Sequence, residues 1–313
     1  MSLLRTPLLI LILIATATRF CSADFFKDDN VAVSGNLSST SHIDGITVVG
    51  GNLTGMGAVF AQSVTSTTQD TLIVGGTILV SSDSLDAGKL RYAASSFTPS
   101  QFNFNGGSTS IHDPSVATIG QTLASQISSL SQAYHGMATN SSVSLPGTQP
   151  GAVVFNAVAG PNNTAVFTVD ASVFSSSKSQ SYQLNGYTAG ETIVINVTGT
   201  GDVNFSQGNF TNGFVGNQSS IVWNFLNVTG TISVKTDLYG SILAPSATVS
   251  NVGGSNIDGG VFATNFNQGA EVHTPLFNGF EPVPEPSSLA LLGMGLSVVL
   301  ACAVRSRRRH AAA

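Results

Sequence analysis

The sequence predicts a mainly β protein. Its body reads as a parallel β-solenoid, or β-helix, with one accompanying α-helix at about 114–134, followed by an apolar C-terminal transmembrane helix. Three observations lead there. Short runs rich in Val, Ile and Thr, each broken by glycine, recur through the body. One stretch in mid-chain switches to helical spacing. Both ends carry apolar segments of a kind that the body lacks. A β-sandwich is the alternative fold, because short strands between turn signals also describe one.

Composition narrows the class. Only 9% of the 313 residues are charged and 42% are hydrophobic, whereas a soluble domain usually carries about 25% charge. Disorder combines low hydrophobicity with high net charge, so this is not its signature. With 33 glycines and abundant Ser, Thr and Asn, the chain is composed like an extracellular β protein. Residues 24–280 hold five basic and 14 acidic side chains, a balance of −9. Phosphate binding needs a basic face, so nucleic acid is excluded as a partner. No cofactor is expected. The acid excess makes Ca2+ the one candidate ion, although no EF-hand loop pattern occurs. Cys21 and Cys302 lie in the end segments. The body therefore has no disulfide, no cysteine metal site and no thiol nucleophile.

The elements follow in order. Residues 1–23 read as a signal peptide. Arg5 supplies the positive start, and the apolar run 8–15 is too short to span a bilayer. The small residues Cys21-Ser22-Ala23 place cleavage after Ala23, with Ala17 as the other candidate. The body then opens on three related runs, "NVAVSGNL", "GITVVGGNL" and "DTLIVGGTILV". Their Gly35-Asn36-Leu37, Gly51-Asn52-Leu53 and Gly76-Thr77-Ile78 elements are 16 and 25 residues apart. Irregular repeats of that size suit solenoid coils in which each strand stacks on its predecessor.

In mid-chain, Val116, Ile119, Leu123, Ile127, Leu130 and Tyr134 recur at spacings of three and four, one apolar helical stripe. Asp113 before Pro114 is a start signal and Gly136 a stop. The stripe is expected to pack on the β body as core. Strand patterns then resume. "ETIVINVTG" alternates apolar and polar residues as a half-buried strand does. Pro245 in "GSILAPSATVS" marks a corner or an edge, since proline cannot donate to a ladder.

The C-terminal part, 281–313, has three pieces in order. Val283 leads into Pro284, Glu285 and Pro286. An apolar segment follows at 289–304, and then Arg305, Arg307, Arg308 and Arg309. Prolines mark the start of the helix. Arginines resist translocation, so the tail end stays cytoplasmic and the body lies outside. This arrangement resembles the PEP-CTERM sorting signal of Gram-negative bacteria. The resemblance implies an exosortase that recognises Pro284, Glu285 and Pro286 and removes the tail.

The body is similar to a second family over 25–280. Its Gly-Asn-Leu strands, the mid-chain helix, Trp223-Asn224-Phe225, Leu243-Ala244-Pro245 and a closing element with Glu271, His273, Phe277 and Gly279 resemble the choice-of-anchor A domain. That resemblance implies a surface-adhesive β-helix with an accompanying helix. It brings no catalytic set.

The residues themselves offer little chemistry. There is no Gly-x-Ser-x-Gly elbow, His-Glu-x-x-His, P-loop or paired cysteine. His42 and Asp44 share a strand face, as do Glu271 and His273, and either pair suits a metal, an acid-base couple or plain turn chemistry. His112-Asp113 precedes the helix, which favours capping. Asp170, Glu191, Asp202, Asp237 and Asp258 are acids that a β-helix glycan hydrolase would gather on one face. Asn36, Asn52, Asn196 and Asn227 open Asn-x-Ser/Thr sequons that are acceptors only in a suitable host.

The sequence thus reads as a non-enzymatic, exported bacterial protein of the cell surface or extracellular matrix, adhesive or structural, associated with exopolysaccharide or biofilm. Signal peptidase and exosortase are its expected processing partners. The C-terminal helix would hold it in the inner membrane only transiently. An ice- or crystal-surface-binding protein is the first alternative, with "SVTSTTQDT" as the threonine source but no regular Thr-x-Thr ladder. A polysaccharide-active β-helix enzyme is the second.

Overall fold

Val/Ile runs cut by glycine fold as short parallel strands, and these stack into three faces of one coiled wall. The computed structural model describes residues 25–282. The first face holds, in spatial order, Thr109–His112, Lys89–Tyr92, Asp70–Val74, Ile46–Val49, Asp29–Val33, Val261–Gln268, Ser241–Ser250, Ile221–Asn224, Thr192–Thr198 and Thr164–Asp170. Every neighbouring pair is parallel. The second face runs Ile78–Ser81, Leu53–Met56, Leu37–Ser39, the second halves of Val261–Gln268 and Ser241–Ser250, Thr231–Val234 and Val203–Phe205. The third face runs from Phe102–Phe104 to Leu238–Tyr239 through His42–Ile43 and Val272–His273. A four-stranded sheet containing Asn209–Phe210, Ser179–Asn185 and Gly151–Asn156 serves the remaining coils, with Ser142–Ser144 antiparallel at its edge. The coils run from the third face to the first and on to the second, although Thr109–His112, Lys89–Tyr92 and Thr164–Asp170 are followed by no second-face strand. This is the solenoid that the repeats predict, and the sandwich alternative falls away.

One expectation is corrected. The strands do not simply stack on their predecessors from end to end. The chain begins in the middle of the stack at Asp29–Val33 and winds outward to Thr109–His112. It then crosses back along the outside as a helix, restarts at the far end with Thr164–Asp170, and winds inward. The last long strand, Val261–Gln268, closes against the first, with Val31 opposite Val261 and Val33 opposite Ala263. The helix makes the larger part of this crossing: the 17 residues of Ile119–His135 cover about 25 Å, about five strand steps at about 4.8 Å each, and the segments on either side of it cover the rest.

The helix forms where the stripe predicts it. A 3-10 turn, Pro114–Thr118, leads into Ile119–His135, and Val116, Ile119, Leu123, Ile127, Leu130 and Tyr134 are all buried. Asp113 caps the entry by accepting the Ser115 N–H at 3.0 Å. Gly136 ends the helix, but with φ −73° it does so in right-handed geometry rather than through the left-handed freedom of glycine. The stripe lies on outward residues of the first face, among them Ala32, Val48, Val194, Val222, Leu243 and Phe262. Close approach demands glycine at one crossing. A Cβ on Gly50 would collide with the Ser34 carbonyl and with Gly120 of the helix.

Inward-pointing residues of all three faces fill the solenoid. At one end Trp223 stacks on Phe214 at 5.7 Å between ring centres, ringed edge-on by Phe155, Phe174, Phe205 and Phe210. Its indole N–H donates to the Tyr239 carbonyl at 2.9 Å, which satisfies the polar atom of a buried ring. Pro245 sits at the bend where its strand leaves the first face for the second, at a register shift between Ala244 and Thr248. It is the corner that the sequence marks.

Candidate functional site

The second face is flat, parallel and open on its outer side, so its outward residues form rows. One row follows the strand register through Leu79, Thr54, Ser38, Asn267, Ser250, Ser233 and Asn204. A neighbouring row, two residues earlier in each strand, runs Thr77, Asn52, Asn36, Asn265, Thr248, Thr231 and Asp202. Rungs within a row are about 4.8 Å apart, and the two rows about 7 Å. Between these rows the strands point Leu37, Leu53, Ile78, Val203, Ile232, Val249 and Phe266 inward.

The earlier row is held in place by its own hydrogen bonds. Asn265 Oδ1 accepts the Asn36 N–H at 2.8 Å, Asn36 Oδ1 accepts the Asn52 N–H at 2.8 Å, and Asn52 Oδ1 accepts the Thr77 N–H at 2.9 Å. At the other end Asp202 Oδ1 accepts the Thr231 N–H at 2.8 Å. The side chains are thereby fixed before any partner arrives, so binding forfeits little rotamer entropy. Asp202 is the sole charge in either row. Apart from Asp202 and the exposed Leu79, the two rows are a lattice of hydroxyls and amides suited to an uncharged, hydroxyl-rich surface.

The third face holds the second cluster, at the seam where the chain's first and last coils meet. His42 and Asp44 come from one side of the seam, Glu271 and His273 from the other. His273 Nε2 lies 3.0 Å from Glu271 Oε2, His273 Nδ1 lies 3.5 Å from Asp44 Oδ2, and His42 Nδ1 lies 3.6 Å from Glu271 Oε1. The two pairs that the sequence leaves separate are therefore one group. Asp258 adjoins it, and burial pushes its carboxyl up while the nearby His273 opposes that shift. Asp44 also accepts the Thr274 N–H at 3.1 Å, so the group fastens the two coils. Among the described residues no set of three or more His, Cys, Asp or Glu side chains is arranged to hold a metal ion.

The other candidates disperse. Asp170 caps a short 3-10 turn through Ser172. Glu191 is buried and accepts the Thr188 N–H at 2.8 Å. Asp202 is on the row described above, and Asp237 accepts the Asn256 N–H at 3.0 Å. Asp237 and Asp258 adjoin on the third face, while Asp170, Glu191 and Asp202 lie elsewhere, so the five acids do not gather on one surface. His112 bonds the Ala93 carbonyl at 3.1 Å beside the capping Asp113. Asn196 is buried, donating to the Tyr134 carbonyl at 3.2 Å. The threonine-rich run 63–71 lies in the loop before Asp70–Val74 and in the first two residues of that first-face strand, not on the second face. Ala23, Pro284, Glu285, Pro286, Arg305, Arg307, Arg308 and Arg309, and the apolar segment 289–304, lie outside the described residues. Among the described residues no helix is long and apolar enough to cross a membrane.

Sequence reasoning missed the flat face as a site. The repeated Gly-Asn-Leu and Gly-Thr-Ile elements were its visible signal, since they supply three consecutive rungs. The other four rungs come from the far end of the chain.

Residues 26–274 match the family described as "Putative Ice-binding-like adhesive domain", and residues 282–309 match the PEP-CTERM protein-sorting motif. No curated protein matches the chain. Among solved structures, an ice-binding protein from the Antarctic ascomycete Antarctomyces psychrotrophicus aligns at 12% identity, over 81% of this chain and 96% of that one, with a TM-score of 0.32.

Proposed function

We propose, for a chain that belongs to the ice-binding-like adhesive domain family and carries a PEP-CTERM sorting motif, that it is an exported bacterial surface protein whose solenoid adheres to the surrounding exopolysaccharide matrix. The choice-of-anchor A resemblance belongs to the same reading. In it, signal peptidase removes 1–23 after Ala23. The 289–304 segment holds the protein in the inner membrane until an exosortase acts at Pro284, Glu285 and Pro286. The two rows of the second face carry the adhesion. The observation behind this is their combination of near neutrality, continuous parallel register and internal fixation by hydrogen bonds.

The test is co-sedimentation of the purified, trimmed protein with exopolysaccharide from the producing cells. Ser233→Lys with Ser250→Lys, which plants two bulky charges in one row, is expected to weaken binding at least tenfold. Wild-type protein that binds no matrix polymer, together with an unchanged biofilm on deletion, would overturn the reading.

One observation favours a second reading. Rungs at about 4.8 Å in rows about 7 Å apart make a regular lattice of hydroxyls and amides, which also suits an ordered crystal surface such as ice. An ice-recrystallisation assay decides: inhibition that the same double substitution abolishes supports it, and no inhibition removes it.

A further inference from the structure

Both chain ends leave the body at one place, and that place lies opposite the flat face. The chain enters through Phe25 and Phe26, which are buried against Phe262, Phe277 and Tyr134. Phe26 is 4.5 Å from Phe262 and 4.8 Å from Phe277 between ring centres. The chain leaves along the corner between the third and first faces. There the Asn278 N–H donates to the Ser219 carbonyl at 2.7 Å, the Phe280 N–H donates to Thr192 Oγ1 at 2.6 Å, and Tyr134 Oη donates to the Phe280 carbonyl at 2.9 Å. The body is therefore pinned up to Phe280. In a three-sided coil this corner is the one that faces away from the second face.

The loops flanking this exit carry three of the seven large apolar side chains exposed among the described residues; Met56 and Leu79, on the second face, are two of the others. These loops are the third-to-first corners of three consecutive coils: 157–163, 186–191 and 211–220. Each exposes one large apolar side chain: Val158 at 57%, Tyr187 at 38% and Val215 at 52%. Their one charged residue, Glu191, is buried. An uncharged stripe with an exposed tyrosine and two valines suits the headgroup layer of a bilayer.

From these observations we propose that, while the tail holds the protein, the Val158, Tyr187 and Val215 corner rests on the lipid surface and the flat face points away from it. The proposal rests on the reading of 289–304 as a membrane span. The tether supports it. Eight residues separate Phe280 from the apolar segment, which reach at most about 28 Å when fully extended. To bring the flat face to the bilayer, the tether would first have to cross the first or the third face. Thr192–Thr198 and Ser179–Asn185 each have seven residues, a width of about 23 Å. Too little length would remain, and the helix thickens the first route further. The arrangement faces the adhesive rows toward the matrix before any trimming.

The experiment uses the full chain after leader removal, made in a host without the processing enzyme and inserted into vesicles of phosphatidylethanolamine and phosphatidylglycerol. Cys302→Ser removes the tail thiol. Val158→Cys, Val215→Cys, Ser233→Cys and Ser250→Cys are then labelled singly with a fluorophore and exposed to headgroup-quencher lipids. Quenching several-fold stronger at Val158→Cys and Val215→Cys than at Ser233→Cys and Ser250→Cys is expected. Tyr187→Ser in the Val215→Cys background should reduce it without lowering the melting temperature. Equal quenching at the two sets, or stronger quenching on the flat face, overturns the orientation. The same vesicles are tested for matrix-polymer binding. Binding with equal quenching removes the orientation and leaves adhesion standing. Unequal quenching without binding does the reverse.

Discussion

Asn36 and Asn265 are 229 residues apart in the chain, yet Asn265 Oδ1 accepts the Asn36 N–H at 2.8 Å. This bond crosses the seam between the first coil and the last. It also joins the three rungs contributed by the first arm of the chain to the four contributed by the second. The flat face is continuous only because the two arms meet there.

Asn265→Ala removes that acceptor and leaves the Asn36 N–H to solvent. The expected cost is about 1 kcal/mol, a fall in melting temperature of about 2–4 °C for a body of this size. Matrix binding should fall further than stability does, because the row loses its alignment at the centre. Equal effects at Asn265 and at an end rung such as Thr77 would show that the seam has no special place in the face.

The contribution of Asp83 to stability should decline as pH rises through the carboxylate range. Asp83 is fully buried on the third face, where Oδ1 accepts the Ala58 N–H at 3.1 Å and Oδ2 has no partner. Burial pushes its carboxyl up to about 6, against the opposing effect of the Ala58 and Gly57 amides. The folded state therefore holds this proton more tightly than the unfolded chain. The contribution is fully present below the unfolded value near 3.8 and is lost as pH rises to about 6. Burial, with Asp28 adding to it, raises Asp29 in the same direction. Asp83→Asn should stabilise the protein by about 1–3 kcal/mol at pH 7 and by little at pH 4. The residual slope in the variant is shared by Asp29 and Asp258, which are raised, and by Asp113 and Asp170, which are lowered. A variant curve parallel to wild type between those pH values would rule Asp83 out as its source.

Much of this fold is written locally, and the part that makes the site is not. The helix is legible because six apolar residues recur at helical spacing, and Pro245 because proline cannot continue a ladder. The first three rungs are legible because Gly35-Asn36-Leu37 and its repeats have one conformation each. The order of coils is not, since nothing local in Asp29–Val33 says that its neighbour is Val261–Gln268. The same holds for His42 and Asp44 on one side of the seam and Glu271 and His273 on the other. Each pair is visible alone; their union depends on long-range closure. Parallel pairing reveals its partners only through buried shape, which a single sequence does not display.

The buried amides beneath the helix should be costly to remove. Asn224 Nδ2 donates to the Ser131 carbonyl at 2.9 Å and to Asn196 Oδ1 at 2.8 Å, while Ser131 Oγ donates back to Asn224 Oδ1 at 2.5 Å. These bonds fix how far the helix slides along the first face. Asn224→Leu strands the Asn196 and Ser131 groups without water, at about 2–3 kcal/mol. Replacing Ser131 by Ala, which strands one acceptor, should cost about half as much. Thermal melts of both variants and the double variant give the coupling between them. A coupling near zero would mean that the network does not act as a unit.

The helix closes the topology, so its closest approach to the sheet is where a single methyl group should tell. Gly50 and Gly120 face each other across that crossing, and a Cβ on Gly120 would press on the Ser34 carbonyl. Backbone, unlike a side-chain tip, has no rotamer by which to retreat. Gly120→Ala should gain about 1 kcal/mol from helix propensity if the site were open. Overpacking costs about 1–3 kcal/mol, so a net loss is expected instead. Ser125→Ala, an exposed position on the same helix, supplies the control and should be neutral or slightly stabilising. Hydrogen exchange should show faster opening of the helix in Gly120→Ala while the buried amides of Thr192–Thr198 stay protected. A stabilised Gly120→Ala protein would mean that the helix rides higher on the first face than the close approach of Gly50 and Gly120 requires.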